Sequence, residues 1–571
     1  MLLTSTSLAG GLALDDYFHR ARAQGLPITG GTRFDLFSFS SGPAEAHRLM
    51  EVGVLPWFSH PDLLLSFFRP LASFTHWVDY TYFPHWPLLM HAENVLFYGA
   101  LVLFATAFYR RLIPVPWIAG LAALAYAFDD AHAVPVGWVA NRNAVMAAMF
   151  AIASFVAHDR ARRDGWKLGA IVGPAWLLAG LLSAEAALGI VAYFVSYALF
   201  IDRARWSQRL TALIPYGAVL VGWQIAYRKL GHGAIGSGLY LDPVREPVNF
   251  AAAAGKRMIA LLVGQFLTPP SDVWTFLPPS LIVPMLAYSV AILGLIGWVL
   301  LPLLRRDPVA RFFLCGAVMA LVPVCATFPS ERLLLLVGLG AMGLVAQLLG
   351  ALSYRAALTP EGGEGAGWRP DARVWGVPAR ILGWVWLVGH LMISPVVLSV
   401  TAAIVVRVPA NLINTGVERL RLGPELETQT LVIVNTPDLL RVVYGWILPQ
   451  DTPHFMPGRG RVLASTMKSV RIERTDAFTL VVRPREGYLS DASSQLVRGD
   501  ASPMHVGQKV ELVGMTAEVT ELNERGYPAS ASFRFTAPLE DPSFRWIAWD
   551  GTHFVDLAPP EIGEFRVLGA D

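Results

Sequence analysis

Two adjacent carboxylates, Asp15 and Asp16, follow directly on the apolar opening segment Met1–Leu14. Charged groups at the mouth of a membrane segment are costly to keep near lipid, which makes them candidates for function. An aspartate can accept the proton of an attacking hydroxyl group, which is the task of a general base. Acids also mark where a chain leaves the bilayer, and position alone leaves both interpretations open.

Two arginines supply the complementary chemistry, the binding of an anion. Arg69 stands in the segment Arg69-Pro70-Leu71, and Arg142 stands in Asn141-Arg142-Asn143. The guanidinium group suits phosphate because it presents a planar fork of donors. A base and an anion clamp facing one compartment fit the transfer of a group from a phosphate leaving group to an alcohol.

Further polar residues cluster near predicted helix ends on the same side. The supporting candidates are His91, Asn94, Asp129, Asp130, His132, Asn141 and Glu185. Each also has a structural interpretation. Asn141 is a plausible helix N-cap, Glu93 could pair with an arginine, and His91 could bond to a backbone carbonyl.

The glycine-rich segment Gly231–Pro247 contains two more candidates, Tyr240 and Asp242. Its glycine density predicts a mobile cover that would exclude water from an activated group. An ordinary flexible connection explains the same composition. Both interpretations stay open, with a slight preference for the cover.

The elements that must position these side chains are membrane helices. Of the 571 residues, 54% are hydrophobic and 15% are charged, and the mean hydropathy is +0.47. Charges fall in short clusters between long apolar runs, as in polytopic membrane proteins. Because the basic residues are spread over short loops, no nucleic acid is expected as a partner.

We predict about 11 spans, each near the 20 residues that a bilayer requires. Met1–Leu14 is short for a span and is interpreted as a truncated first helix. The others are His91–Ala107, Trp117–Val134, Ala144–Ala157, Leu168–Leu182, Ala186–Ile201, Leu210–Tyr227, Leu281–Leu303, Phe312–Thr327, Leu333–Leu352 and Ile381–Val405.

Basic clusters orient these spans, because positive charge favours the cytoplasmic side. The clusters lie at Arg110-Arg111, Arg160–Arg163, Arg203–Arg205 and Arg305-Arg306. The candidate site residues then face outward. Phe250–Phe266 becomes an amphipathic helix along the outer surface, and Thr359–Gly367 becomes a flexible cytoplasmic linker.

The tail changes character after about Arg407. Short β-type runs broken by Gly, Pro and Asp predict a soluble, mainly β domain. The runs are Thr430–Val434, Arg461–Ile472, Phe478–Val482, Lys509–Val513, Ala517–Leu522 and Ala531–Phe535. The predicted organisation is a transmembrane domain over 1–406 and an extracytoplasmic β-rich domain over 407–571.

The order of the outer-loop motifs resembles the integral-membrane glycosyltransferases of the GT-C fold. It is closest to the protein O-mannosyltransferase branch that carries tetratricopeptide repeats. The matching pieces are Asp15-Asp16, Arg69-Pro70-Leu71, Ala72–Tyr80, His91–Asn94, His132–Val136 and Asn141–Ala144. The chain departs from the family pattern at Val134 (family Glu), Asn141 (family Gly) and Ala184 (family Lys), and it lacks the helical repeats.

The resemblance implies a GT-C-like, mannosyltransferase-like transferase of the cell envelope, in a bacterial inner membrane. Its donor would be a polyprenyl-phosphate sugar, and its acceptor a hydroxyl of a protein, glycan or lipid. Asp15 or Asp16 would activate that hydroxyl for inverting attack, while Arg69 and Arg142 hold the lipid phosphate. Some relatives use a divalent cation (Mg²⁺ or Mn²⁺), although no ligand set here demands a metal.

Two other classes fit part of the pattern. A transporter or lipid flippase would also need polar helix ends, but transporters usually place them near mid-membrane and show two similar halves. A non-catalytic GT-C relative could scaffold envelope assembly through its β-rich tail. The departures at Val134, Asn141 and Ala184 keep this last class open.

Overall fold

The computed structural model describes residues 1–26, 30–353, 376–409, 420, 423–445 and 457–569. The linker predicted at Thr359–Gly367 lies outside them. The chain forms two compact units, each built from separate stretches. The first comprises Met1–Leu12, Phe67–Leu230 and Phe250–Val406. The second comprises Ala13–Ser66, Gly231–Asn249 and Arg407–Asp571.

The second unit therefore contains other parts of the chain besides the tail. Ala13–Ser66 and Gly231–Asn249 belong to it, although the sequence assigned both stretches to outer loops of the membrane region. Their apolar side chains explain this grouping. Trp57, Phe58 and Ala234 are buried in one hydrophobic core with Phe533 and Trp546 of the tail, where they are removed from water.

The first unit is helical. Its α-helices are Pro70–Tyr82, Pro87–Leu112, Pro116–Phe128, Ala133–Gly137, Arg142–Arg163, Gly169–Leu181, Ile190–Phe200, Trp206–Lys229, Pro247–Phe266, Pro279–Arg306, Pro308–Val324, Leu335–Leu352, Gly376–Val388 and Ser394–Ile404. A π-helical turn, Gly389–Ile393, joins the last two. Helix Pro247–Phe266 begins in the stretch that belongs to the second unit.

Six helices among the described residues are long and apolar enough to cross a membrane. They are Pro87–Leu112, Val139–Arg163, Trp206–Lys229, Pro279–Arg306, Leu335–Leu352 and Gly376–Pro409. Four further predicted spans correspond to apolar helices of 10–17 residues. At 1.5 Å per residue these are shorter than the roughly 30 Å hydrocarbon layer.

The opening segment is not a helix of span length, and that prediction was wrong. Only Ser5–Ala9 forms a short 3₁₀ helix, and the chain is extended at Gly10. Gly10 and Gly11 favour this break, because glycine weakens a helix. The first α-helix begins at Asp15 instead.

Helix Leu335–Leu352 lies at the centre of the first unit. Three buried tyrosines from three other helices donate hydrogen bonds to its carbonyls: Tyr109 to Leu339 at 2.6 Å, Tyr126 to Leu335 at 3.0 Å and Tyr193 to Leu336 at 2.5 Å. A buried phenol needs such an acceptor where water is absent. These bonds tie the helices of the bundle together.

One glycine of this central helix permits close packing. A Cβ atom on Gly340 would lie 2.5 Å from the carbonyl oxygen of Phe313. The neighbouring helix Pro308–Val324 therefore approaches more closely than any larger residue would allow.

The described residues of the second unit form three sheets and the short α-helices Asp15–Ala23, Pro43–Glu51 and Leu439–Gly445. An antiparallel sheet joins Ser38–Ser41, Leu64–Ser66 and Gly233–Ile235 in that order. A six-stranded antiparallel sheet has the order Phe565–Leu568, Val470–Arg474, Thr479–Pro484, Pro528–Phe535, Met515–Leu522 and Lys509–Leu512. A mixed four-stranded sheet has the order Phe554–Asp556, Phe544–Trp549, Thr430–Ile433 and Arg459–Val462.

The β-rich character of the tail is confirmed. The six-stranded sheet buries one face: Phe533 lies opposite Leu480 on one side and Ala517 on the other, and all three are buried. This alternation of buried and exposed positions is the pattern from which the strands were predicted. Strands Phe544–Trp549, Phe554–Asp556 and Phe565–Leu568 were not predicted.

Candidate functional site

Asp15 and Asp16 open the first α-helix of the second unit, but their environments differ. Asp16 is fully buried, and its Oδ2 accepts a hydrogen bond from the Ala13 backbone N–H at 2.9 Å. Asp15 is partly exposed. Leu14, just before the pair, has a φ of 50°, which an L-residue with a bulky side chain rarely adopts. Backbone strain of this kind is concentrated at functional sites.

The Asp15 carboxylate has a partner from the far end of the chain. The Tyr444 hydroxyl donates a hydrogen bond to Asp15 Oδ1. Burial raises the pKa of Tyr444 well above its usual value, and the charge of Asp15 adds to that effect. The phenol therefore stays protonated and acts as a donor. Phe18 and Ala21, on the helix that Asp15 opens, pack against the Tyr444 ring.

In the first unit, Arg142 is fully buried and lies within ion-pair distance of two carboxylates. Its Nη2 lies 2.7 Å from Asp79 Oδ2, and its Nη1 lies 2.8 Å from Glu93 Oε2. Its Nε donates to Asn94 Oδ1 at 2.6 Å, and Nη2 also donates to the Met90 carbonyl at 3.0 Å. An arginine held in this way neutralises two carboxylates at depth. The pairing of Glu93 with an arginine, considered from the sequence, is present.

His91 makes the backbone contact that its structural interpretation predicts, and Asn141 occupies the predicted N-cap position. His91 is buried, and its Nε2 lies 2.9 Å from the Gly11 carbonyl oxygen. Asn141 occupies the N-cap position of helix Arg142–Arg163, but its side chain makes no capping hydrogen bond. Asn94 Nδ2 donates to the carbonyls of Val136 at 3.3 Å and Trp138 at 3.2 Å. The segment from Val136 to Trp138 is thereby held against the helix that carries Asn94.

Arg69 has a separate partner. Its Nε donates to Glu185 Oε2 at 2.8 Å, and the two side chains are 20% and 23% exposed. The guanidinium also lies over the Phe67 ring, 4.7 Å from its centroid. Arg69 occupies the N-cap position of helix Pro70–Tyr82. Asp79, the partner of Arg142, lies ten residues further along this helix, about 15 Å away by helical rise. Arg69 and Arg142 thus belong to different clusters.

Asp129, Asp130 and His132 form a third cluster. Asp129 Oδ2 accepts from Gln265 Nε2 at 2.9 Å, Asp130 Oδ1 accepts from Ser394 Oγ at 2.6 Å, and His132 Nδ1 lies 3.1 Å from the Tyr98 hydroxyl. Burial, reinforced by Asp130, raises the pKa of Asp129 to about 7. A protonated Asp129 fits a buried site beside another acid.

Sequence reasoning missed two acids near this cluster. Burial raises the pKa of Glu331 to about 8, and the charges of Asp130, Asp272 and Asp129 act in the same direction. The backbone N–H of Glu331 donates to Asp272 Oδ2 at 3.0 Å. Glu331 and Asp272 stand in separate loops far along the sequence, and no local motif connects them.

The glycine-rich segment is tied into the second unit, unlike a freely moving cover. Gly233–Ile235 pairs with Leu64–Ser66, and Gly238 N donates to the Gln495 carbonyl at 2.8 Å. Asp242 is buried, and its Oδ1 accepts from the Val244 N–H at 2.9 Å. Tyr240 packs against the core of this unit. The satisfied backbone groups are the physical reason for this order.

The predicted residues therefore fall into local groups. In the first unit, Arg142 joins Asn94, Arg69 joins Glu185, and Asp129 lies beside Asp130. Tyr444 contacts the candidate base Asp15, and no local motif predicts this pairing, because only the fold brings the two residues together. Among the described residues, no group of three or more His, Cys, Asp or Glu side chains is arranged to hold a metal ion. The described side chains thus provide no ligand set for Mg²⁺ or Mn²⁺.

The sequence matches no protein-family model and no curated protein.

Proposed function

We propose that this membrane protein is a glycosyltransferase of GT-C type that moves a sugar from a polyprenyl phosphate to an acceptor hydroxyl. The proposal rests on the ordered motifs of the first 200 residues and on the environment of Asp15. The observation that carries it is a partly exposed carboxylate, preceded by a strained Leu14 and bonded to a buried tyrosine. A structural acid at a helix start requires neither the strain nor the remote partner.

Asp15 is the better candidate for the base of the two acids. A general base must reach the proton that it removes, and Asp15 is partly exposed while Asp16 is fully buried. Asp16 would then hold the start of the helix through its bond to Ala13. In the reaction, the acceptor oxygen would attack the anomeric carbon, Asp15 would take the hydroxyl proton, and the sugar–phosphate bond would break with inversion.

Arg69 is the better candidate for contact with the lipid phosphate. Its side chain is partly exposed, so an anion can approach it. Arg142 is buried against Asp79 and Glu93, and a phosphate contact would require it to release a carboxylate. We therefore assign to Arg142 the positioning of Asp79, Glu93 and Asn94.

The same proposal includes the finer topology. We propose about 11 membrane crossings, because shorter helices can cross where the bilayer thins. The membrane would be a bacterial inner membrane, and the C-terminus would be extracytoplasmic. The basic helix ends support it by the positive-inside rule. A reporter enzyme fused after residue 571 should be active only outside the cytoplasm. Activity in the cytoplasm would reverse the orientation.

A second candidate, transport, is favoured by one observation. The buried Arg142 pairs with Asp79 and with the partly exposed Glu93 at the start of two candidate spans, and charged groups within membrane segments also mark ion pathways. The two proposals differ in their product. Purified protein supplied with radiolabelled polyprenyl-phosphate sugars and membrane extract should yield a labelled acceptor if the first is correct, whereas a transporter would yield none.

A further inference from the structure

A large cavity lies at the arginine-rich ends of the helices in the first unit. Its volume is about 1410 Å³. The ends of Pro87–Leu112 and Arg142–Arg163 and the starts of Trp206–Lys229 and Pro308–Val324 enclose it. Arg142 lies at the opposite end of helix Arg142–Arg163, about 30 Å away by helical rise. The cavity is therefore separate from the clusters described above.

The lining of this cavity is strongly basic. It contains Arg111, Arg162, Arg163, Lys167 and Arg203, and one acid, Asp202.

Three of these basic groups are already neutralised. Arg162 Nε lies 2.8 Å from Asp202 Oδ2, Arg111 Nη2 lies 2.9 Å from Asp164 Oδ1, and Arg163 Nε lies 3.0 Å from Asp159 Oδ1.

Lys167 and Arg203 are different. Both are exposed, and neither forms an ion pair with any residue that the structure describes. Their charge is uncompensated. An anion that entered the cavity could pair with these two groups without displacing a carboxylate.

Two polar groups deeper in the cavity also lack partners. His158 is 3% exposed and forms no hydrogen bond within the described part of the chain; its ring is surrounded by Phe194, Tyr197 and Tyr216. The Tyr216 hydroxyl is buried and has no hydrogen-bond partner among the described residues. Buried polar groups are usually hydrogen-bonded in proteins, and both of these groups could bond to a polar ligand in the cavity.

The remaining wall is mixed: Ser207, Gln208 and Thr211 are polar, and the other part is apolar. The apolar part includes Leu112, Phe200, Ile201, Pro215 and Val309. The cavity exceeds the roughly 300–1,000 Å³ of most small-ligand pockets, which leaves room for more than a phosphate ion. Basic pockets between membrane helices are typical binding sites for anionic lipid headgroups.

We infer that this cavity binds a phosphate group, with Lys167 and Arg203 as its charged contacts. The apolar part of the wall favours an anionic phospholipid over free phosphate, because it can cover the first carbons of the acyl chains. The inference does not depend on sugar transfer, since none of its residues takes part in the proposed reaction.

The test is lipid binding by the purified full-length protein in neutral detergent. Native mass spectrometry would measure adducts with phosphatidylglycerol and with phosphatidylcholine. Thermal unfolding would be measured in parallel with inorganic phosphate. We expect preferential retention of phosphatidylglycerol, and a loss of affinity of about tenfold or more in the double variant Lys167→Gln/Arg203→Gln. Both side chains are exposed, so the variant should fold, which size-exclusion chromatography verifies.

A matched double variant, Arg110→Gln/Arg305→Gln, removes the same charge from exposed last-turn positions outside the cavity lining. It should bind phosphatidylglycerol as the wild type does. Stabilisation by inorganic phosphate without lipid adducts, lost in the Lys167/Arg203 variant, would assign the site to a free phosphate ion. Equal loss in both double variants would show diffuse surface attraction and overturn the inference, as would unchanged binding in the Lys167/Arg203 variant.

Discussion

The hydroxyl of Tyr444 donates a hydrogen bond to the carboxylate of Asp15, although 429 positions separate the two residues in sequence. Both belong to the second unit, whose two larger sheets lie in the tail. The β-rich region is therefore more than an appendage. It supplies a direct contact to the residue that we propose as the base, and it fixes the side-chain orientation on which proton transfer depends.

Replacement of Tyr444 by Phe tests this contact. The variant loses the donor while it keeps the ring that packs near Phe18, so the fold should persist. We expect sugar transfer to fall about tenfold, because a misplaced base is less efficient. The measurement is the initial rate of acceptor labelling. Tyr488→Phe, which removes another buried phenol of the same unit, serves as the control and should retain most activity.

The two arginines of the first unit should respond differently to substitution. Arg142→Gln leaves Asp79 and Glu93 without their buried partner, and breaking such a pair costs about 3–5 kcal/mol. Arg69→Gln opens a partly exposed pair with Glu185, which costs about 1 kcal/mol or less. Thermal unfolding in detergent measures both effects. Transfer activity should nevertheless be lost in Arg69→Gln; a stable and fully active variant would remove Arg69 from the phosphate site.

Stability should depend on pH through Glu331. Burial raises its pKa from an ordinary value of 4.5 to about 8, so the protonated form favours the folded state. This contribution is complete below about pH 4.5 and is lost as the pH rises through about 8. The melting temperature should therefore fall between pH 5 and pH 9.

Glu331→Gln mimics the protonated side chain and should flatten that pH profile. A smaller dependence of the melting temperature on pH should remain, because the pKa of Asp129 is also raised, to about 7. Glu524→Gln, a change at an exposed acid of the second unit, should leave the profile as in the wild type. An identical slope in the Glu331 variant would contradict the assignment.

Apolar runs predicted where the helices lie, because long hydrophobic stretches fold as helices in lipid. Every predicted span from His91 onward corresponds to a helix. Their lengths were harder to predict. Trp117–Val134 contains a helix that ends at Phe128, and Asp129 then caps the 3₁₀ helix Asp130–His132 by accepting from the Ala131 N–H at 3.1 Å. Hydropathy does not register such a local capping contact.

Pairing between distant strands also escapes local pattern analysis. Phe544–Trp549 lies in register beside Thr430–Ile433, parallel to it and more than one hundred residues away. The same limit applies to the candidate site. Motifs identified Asp15 and Asp129, but Tyr444 and Gln265, which donate hydrogen bonds to them, lie far along the sequence, and only the folded chain brings them near.

The central claim is that Asp15 acts as a base in sugar transfer. The most direct measurement is the labelling of acceptor by purified Asp15→Asn protein supplied with radiolabelled polyprenyl-phosphate sugar. Asp62→Asn, at an exposed acid of the same unit, serves as the control. We predict that Asp15→Asn folds normally and loses activity by about 100-fold or more, while the control stays active. Full activity of Asp15→Asn, or the absence of transfer by the wild type with every sugar donor, would contradict the account.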